Sequence, residues 1–401
     1  MEPRRIALVP PRYGPEVVGG AEAVIREVAH GLADRGWSVD VLTTTARDHF
    51  TWADAEPAGT AVDRTATGAE VRVTRFPVVK DTPGEERARV EARMQAGDMP
   101  SLPEQEAWMN DGPRWPELFH HVLDTAETYR AIVVSPYMFW TTFAIAGIAP
   151  ERTLLRPCLH DEPYARMELF EPLFTGSAGV WLQTEPELEL YRRISTPPPQ
   201  TRIVGEGVGV PEGYDPERIR RQLDLGDSPY VVYGGRREGA KGWEGLLHGF
   251  VDAVRKEDLD LHLVTYGVGP VEPPADVADR VHDLGFVDDR TRDDVIAGAV
   301  AYVQPSALES FSRTIMEAWL AGTLVIANGA SDVVRWHVDR SGAGLTYSDP
   351  AELEQALRFV AEAPDQAAAL AAPGRQYVLD NYTWPVTLDA MEVTLDEWFP
   401  A

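Results

Sequence analysis

Twice along the chain a short apolar run leads into a glycine-rich loop and then into a helix with one apolar face. The first instance is the run 6–9, a loop ending in Gly19-Gly20, and a helix whose Val24, Ile25, Val28, Ala29 and Leu32 recur at helical spacing. The second is the run 230–233, the loop Gly234-Gly235-Arg236-Arg237-Glu238-Gly239-Ala240-Lys241-Gly242, and a helix with Leu246, Leu247, Phe250, Val251 and Val254 on one side. Runs that are apolar throughout, rather than alternating, suit parallel strands buried on both faces. Each instance therefore predicts the start of a βαβ unit with its glycines at the first strand-to-helix turn.

The alternation continues on both sides. Strands are predicted at 39–42, 71–76, 131–135, 153–156 and 179–183, then at 261–266, 300–303, 325–327 and 345–347. Helices are predicted at 118–129, 185–193, 352–361, from 366 onward, and at 384–398. This is an α/β pattern of two doubly wound, Rossmann-like domains, expected to face each other across a cleft. Thr196-Pro197-Pro198-Pro199, followed by the glycines at 205, 207 and 209, marks the break. The expected division is 1–204, 205–384 and a terminal helix over 385–401. Residues 45–120 read as irregular apart from a polar helical piece at 85–95. They contain Trp108 and Trp115 and read either as an elaborated region where acceptor recognition would sit or as a surface insertion with no role.

A length of 401 residues exceeds what one core usually supports, which also favours two domains. The formal net charge of −27 argues against nucleic acid or an anionic membrane as the main partner. No apolar stretch reaches about 18 residues, so no membrane span is expected. The single cysteine, Cys158, excludes an intrachain disulfide and points to a reducing compartment, and the N-terminus carries no signal-peptide pattern. A cytoplasmic protein is the expectation, with its oligomeric state open.

Three stretches carry candidate chemistry. At 234–242 a strand leads to glycines, Arg236 and Lys241 at a helix start. There, backbone amides and two cations could hold a pyrophosphate. At 304–322, the sequence QPSALESFSRTIMEAWLAG follows a buried strand with a loop and then a helix from about Ser312. Glu309 falls in the loop and Glu317 in the first turns of the helix. Carboxylates beside a phosphate site suit sugar or ribose hydroxyls. At 159–164, His160 with Asp161 and Glu162 follows a strand end, the ligand side of an α/β sheet. Side chains at consecutive positions diverge, so this is thin evidence for a metal site. A dinucleotide reading of the first turn lacks both G-x-G-x-x-G and an acidic residue at the end of the second strand.

Pro305-Ser306, Glu309, Phe311, Glu317-Ala318, Gly322-Thr323 and Val325 resemble the E-x7-E motif of family-4 retaining glycosyltransferases of the GT-B fold. Ser310 and Ser312 stand where that family has glycines, and Leu324 where it has proline. The resemblance extends to Gly19-Gly20-Ala21-Glu22, to Arg236 and Lys241, and to Gly285-Phe286-Val287, and covers most of the chain. It implies a metal-independent hexosyl- or N-acetylhexosaminyl-type transferase that moves a sugar from a nucleotide-sugar donor to a hydroxyl acceptor with retention. Arg236 and Lys241 would neutralise the departing diphosphate. Glu309 would hold sugar hydroxyls and Glu317 the ribose. His160 would orient the sugar. Gly19, Gly20, Ser310, Phe311 and Ser312 would line the donor, and the backbone at Phe286 and Val287 would read its base. No cofactor beyond the donor substrate is implied, and the C-terminal helix is expected to return to the N-terminal domain. Two other classes share these donor contacts: a sugar-nucleotide epimerase and a catalytically silent nucleotide-sugar binding protein. An NAD-linked dehydrogenase is a more distant alternative.

Overall fold

A computed structural model describes residues 4–400 except 18, 238 and 258. Val18 and Glu238, inside the two glycine-rich stretches, thus lie outside the described residues. The chain divides into two compact units, residues 1–205 with 387–401, and residues 206–386.

The first unit is built on an eight-stranded sheet. In chain order its elements are β1 (Arg5–Val9), α1 (Gly20–Asp34), β2 (Ser38–Thr44), β3 (Gly59–Arg64), β4 (Glu70–Phe76), α2 (Glu85–Gln95), α3 (Leu102–Asn110), α4 (Pro116–Thr125), β5 (Ala131–Val134), α5 (Trp140–Ala146), β6 (Thr153–Leu155), α6 (Glu171–Gly176), β7 (Gly179–Leu182), α7 (Glu185–Ile194) and β8 (Thr201–Ile203). The sheet order is β3-β4-β2-β1-β5-β6-β7-β8, parallel except for the β3–β4 hairpin. The order reverses beside β1, between β2 and β5.

Residues 45–120 are more regular than expected. The β3–β4 hairpin extends the sheet through β2, and a capping box of Ser101 with Glu104 starts α3. Trp108 and Trp115 are fully buried in the main core of the unit. Trp108 meets Phe170 edge-on, and Trp115 meets Trp52. Their indoles therefore serve packing.

The second unit comprises α8 (Pro216–Gln222), β9 (Tyr230–Gly234), α9 (Trp243–Glu257), β10 (His262–Tyr266), β11 (Val281–Asp283), α10 (Asp289–Ala297), β12 (Ala301–Gln304), α11 (Arg313–Leu320), β13 (Leu324–Asn328), α12 (Asp332–Ser341), β14 (Gly344–Tyr347), α13 (Pro350–Glu362) and α14 (Pro364–Asn381). A last helix, α15 (Trp384–Trp398), begins here, and residues 387 onward belong to the first unit. There Trp181 donates to the Thr394 hydroxyl at 2.7 Å and Trp37 to Glu392 at 2.8 Å.

The six strands of the second unit are all parallel, in the order β11-β10-β9-β12-β13-β14. Successive side chains along a strand point to opposite faces. Tyr230, Val232, Tyr302 and Val325 accordingly enter one apolar cluster, with Ile315 and Trp319 of α11. Val231, Tyr233, Val303 and Ile326 enter the other, with Leu246 and Phe250 of α9. Both faces are covered, which is why these strands read as unbroken apolar runs. The strand order reverses between β9 and β12, and in open α/β sheets ligands bind outside the carboxyl ends at such a point.

Candidate donor site

The loops that leave β9 and β12 meet at that reversal. Gly242 sits at φ 73°, and a Cβ on it would lie 2.4 Å from the Pro305 carbonyl oxygen. Only glycine lets the two backbones approach so closely. Asn328, at the end of β13, donates to the same carbonyl at 3.0 Å and fixes the second loop from the other side. The consequence is that Lys241 and Glu309, 68 residues apart, form an ion pair at 2.8 Å. The ammonium is 31% exposed and the carboxylate 14%. One cation and one carboxylate, both reachable, therefore stand together at the switch point.

Arg236, in the same loop as Lys241, is half-buried, and its carbonyl accepts from the Tyr233 hydroxyl at 2.7 Å. Its neighbour Arg237 has a different fate. Its guanidinium is buried, donates to Thr265 Oγ1 at 3.2 Å and to the Gly269 carbonyl at 2.8 Å, and pairs with Asp283. Arg237 thus ties together the ends of β9, β10 and β11 and the loops that leave them. A doubled arginine in the sequence carries no sign of this division of labour.

Glu317 lies on α11, mostly buried. Burial pushes its pKa up, and Arg292 and Arg313 oppose that rise. Arg292 Nη1 stands 3.6 Å from the carboxylate and also bonds Asp293 at 2.9 Å. Burial works against the Arg292 charge, but Glu317, Asp293 and Asp289 outweigh it and raise its pKa. Arg292, in the first turns of α10, is a residue the sequence reading missed. Its only sequence signal is an arginine among acidic neighbours.

Ser312 is the N-cap of α11 with φ 69° and ψ 73°, a left-handed conformation that glycine adopts freely and other residues do not. Its side chain compensates, since Ser312 Oγ accepts from Gln304 Nε2 at 2.7 Å. The serine thus keeps the backbone path of a glycine while anchoring it to the end of β12. Ser310, next to Glu309, is half-buried. Phe311 turns inward, 2% exposed, with its ring edge-on to His337 and Tyr382. Its side chain is withdrawn from any donor, which corrects the expectation for that residue; only its backbone remains to line one. Phe286 is 72% exposed, Val287 is half-buried, and Gly267 N–H donates to the Gly285 carbonyl at 2.7 Å.

In the first unit the glycine turn is occupied by the chain itself. Gly19 precedes α1, and a Cβ on it would meet the Glu22 carboxylate at 2.3 Å, whereas at Gly20 it would meet no atom within 4 Å. Glu22 pairs with Arg12, both buried, and Arg12 also donates to the Arg47 carbonyl at 3.1 Å. His160 is partly exposed on the loop after β6, its Nδ1 3.7 Å from Glu162. Asp161 is taken up by Arg166 and Arg193. Cys158 is buried. Among the described residues no group of three or more His, Cys, Asp or Glu is placed to hold a metal ion, and no helix is long and apolar enough to cross a membrane.

The comparisons can be set against this geometry. Residues 228–362, which hold the β9 turn, Glu309 and Glu317, match the family model described as glycosyl transferases group 1. Among solved structures, sucrose-phosphate synthase from Thermosynechococcus elongatus is similar at TM-score 0.74 and 21% identity, over 99% of both chains. The fold is GT-B. Anabaena HepE in complex with UDP-glucose is similar at TM-score 0.67 and 17% identity, over 97% of this chain and 98% of that one. WaaG, a glycosyltransferase involved in lipopolysaccharide biosynthesis, follows at TM-score 0.66 and 16% identity, over 99% and 100%. No curated protein sequence matches. The likeness to these structures is one of fold, and the match to the family model is confined to residues 228–362, in the second unit.

Proposed function

We propose that the protein transfers a sugar from a nucleotide-sugar donor to a hydroxyl acceptor, with retention at the anomeric carbon and without a metal ion. The observation that carries this reading is the Lys241–Glu309 pair at the strand-order reversal of the second unit. A diphosphate and a polyhydroxylated sugar need a cation and a carboxylate within a few ångströms of each other, and this pair supplies both. HepE was solved with UDP-glucose, a donor of that chemical class.

Departure of a nucleoside diphosphate builds negative charge on its phosphate oxygens. Lys241 and Arg236 would meet that charge, together with the backbone amides around Ser312 at the start of α11. A bound diphosphate competes for Lys241 and so frees Glu309 to accept from sugar hydroxyls. Glu317, held by Arg292, accepts from ribose hydroxyls. The ring or backbone at Phe286 and Val287 meets the base, and His160 orients the sugar. The donor sugar is of the hexosyl or N-acetylhexosaminyl type.

The test is product analysis with UDP-glucose, UDP-N-acetylglucosamine and GDP-mannose, each with a panel of hydroxyl acceptors and with EDTA present. Proton NMR of a product with the donor's anomeric configuration supports the reading. An inverted product defeats retention, loss of activity with EDTA defeats metal independence, and release of a donor isomer without acceptor would indicate an epimerase.

A further inference from the structure

The loop that carries His160 is held by a residue without an assigned role. Glu187, in the first turn of α7, is 1% exposed. Its Oε1 accepts from Leu159 N–H at 2.8 Å and its Oε2 from Gln183 N–H at 2.6 Å. One buried carboxylate therefore joins the loop after β6 to the loop after β7, and one of its two anchors is the residue immediately before His160. The same loop contains Cys158 at φ 55°, a left-handed conformation for a non-glycine residue, with Arg156 Nη1 3.1 Å from its sulfur. A turn in that conformation persists only where its surroundings hold it. Thr184-x-x-Glu187 has the form of a capping box, and Thr184 Oγ1 does accept from Glu187 N–H at 3.2 Å. The carboxylate, however, also reaches out of its own helix to the neighbouring loop.

We propose that Glu187 is the positioning residue for His160, clamping through its two carboxylate oxygens the turn that presents the imidazole. The proposal rests on the reading that His160 orients the donor sugar. The clamp needs the ionised form. A carboxylate offers two acceptors to two backbone N–H donors, whereas a protonated acid or a glutamine turns one acceptor into a donor facing another donor. Burial pushes the Glu187 pKa up to about 7, with the Gln183 and Leu159 amides, Arg156 and His160 opposing the rise. Burial raises the pKa of Tyr191, on the same helix, and the Glu187 charge in turn helps to raise it.

The test uses the full-length protein without donor, so it stands apart from whether His160 acts on a sugar. The His160 imidazole signal is followed by NMR at one fixed pH, assigned with His160→Ala, and backbone hydrogen exchange is read for residues 157–162. In Glu187→Gln the His160 imidazole signal should move and broaden, because the turn that presents it is no longer held, and exchange at 157–162 should rise at least tenfold. Superimposable His160 signals and unchanged protection would overturn the proposal. Should Glu187→Gln fail to fold, Glu187→Asp decides, since the shorter side chain cannot span the Leu159 and Gln183 amides together. Exchange at 157–162 should again rise several-fold over wild type, and equal protection would overturn the proposal. If Glu187 proves to clamp His160 while His160→Ala leaves transferase activity intact, the role given to His160 in catalysis is what fails.

Discussion

The two glycine-rich turns that open the two units have similar sequences and opposite interiors. In the turn after β1, the chain supplies its own cation and its own anion, and Arg12 and Glu22 neutralise each other in a buried pair against Gly19. In the turn after β9, the cation Lys241 is partly exposed, and its partner Glu309 comes from a distant loop. A buried pair with a short internal partner is a structural feature. A partly exposed pair bridging two loops can be opened by a ligand at small cost, since such pairs contribute at most about 1 kcal/mol. Glycine-rich turns at strand ends thus share backbone geometry but not function. What separates them is whether the charges they carry are already spent.

Removing the cation from each turn should have contrasting effects. Arg12→Met leaves Glu22 buried and unpaired, and chemical denaturation should show a loss of about 3–5 kcal/mol. Lys241→Met should leave stability within about 1 kcal/mol while lowering turnover roughly 10²- to 10³-fold, the usual effect of removing one group that meets transition-state charge. A large stability loss in Lys241→Met would erase the distinction between the turns.

The next effect is a pH dependence. Glu187 has a folded pKa raised to about 7 from an ordinary value of 4.5. A raised carboxyl pKa gives a stability contribution that is full below pH 4.5 and is lost as pH rises through 7. Glu187→Gln should therefore gain stability relative to wild type between pH 5 and pH 8, by up to roughly 3 kcal/mol, as read from melting curves at several pH values. A constant difference across that range would contradict the assigned shift.

Glycine substitutions sharpen the comparison further. Gly242→Ala puts a methyl group against the Pro305 carbonyl and strains a positive φ, so it should weaken nucleoside diphosphate binding about tenfold or more in calorimetry. Gly20→Ala meets open space and should change stability by less than about 0.5 kcal/mol.

Much of the fold was legible because its central strands are buried on both faces. The runs 6–9, 230–233 and 300–303 are apolar without interruption, and each is followed by a turn with strong punctuation. The strand β3 was missed because it is exposed along most of its length at the sheet edge, so GTAVDR carries no burial pattern. The candidate site was legible in its residue types rather than in its contacts. The sequence displays Lys241 and Glu309 but not their pairing, and it displays Arg236-Arg237 but not which guanidinium is buried. Phe311 was placed at the donor by the family motif it matches. It is withdrawn because His337 and Tyr382, far along the chain, form an aromatic pocket for it. Glu187 was read only as part of a polar helix, since nothing local reveals that its carboxylate reaches Leu159.

The measurement that bears most directly on the central claim is calorimetric titration of UDP, GDP, ADP and dTDP into wild type, Lys241→Met and Gly20→Ala. The account predicts saturable binding of at least one nucleoside diphosphate to wild type and to Gly20→Ala, weakened at least tenfold in Lys241→Met. Equal affinity in wild type and Lys241→Met, or no binding of any of the four, would contradict the assignment of the β9 turn as the diphosphate site.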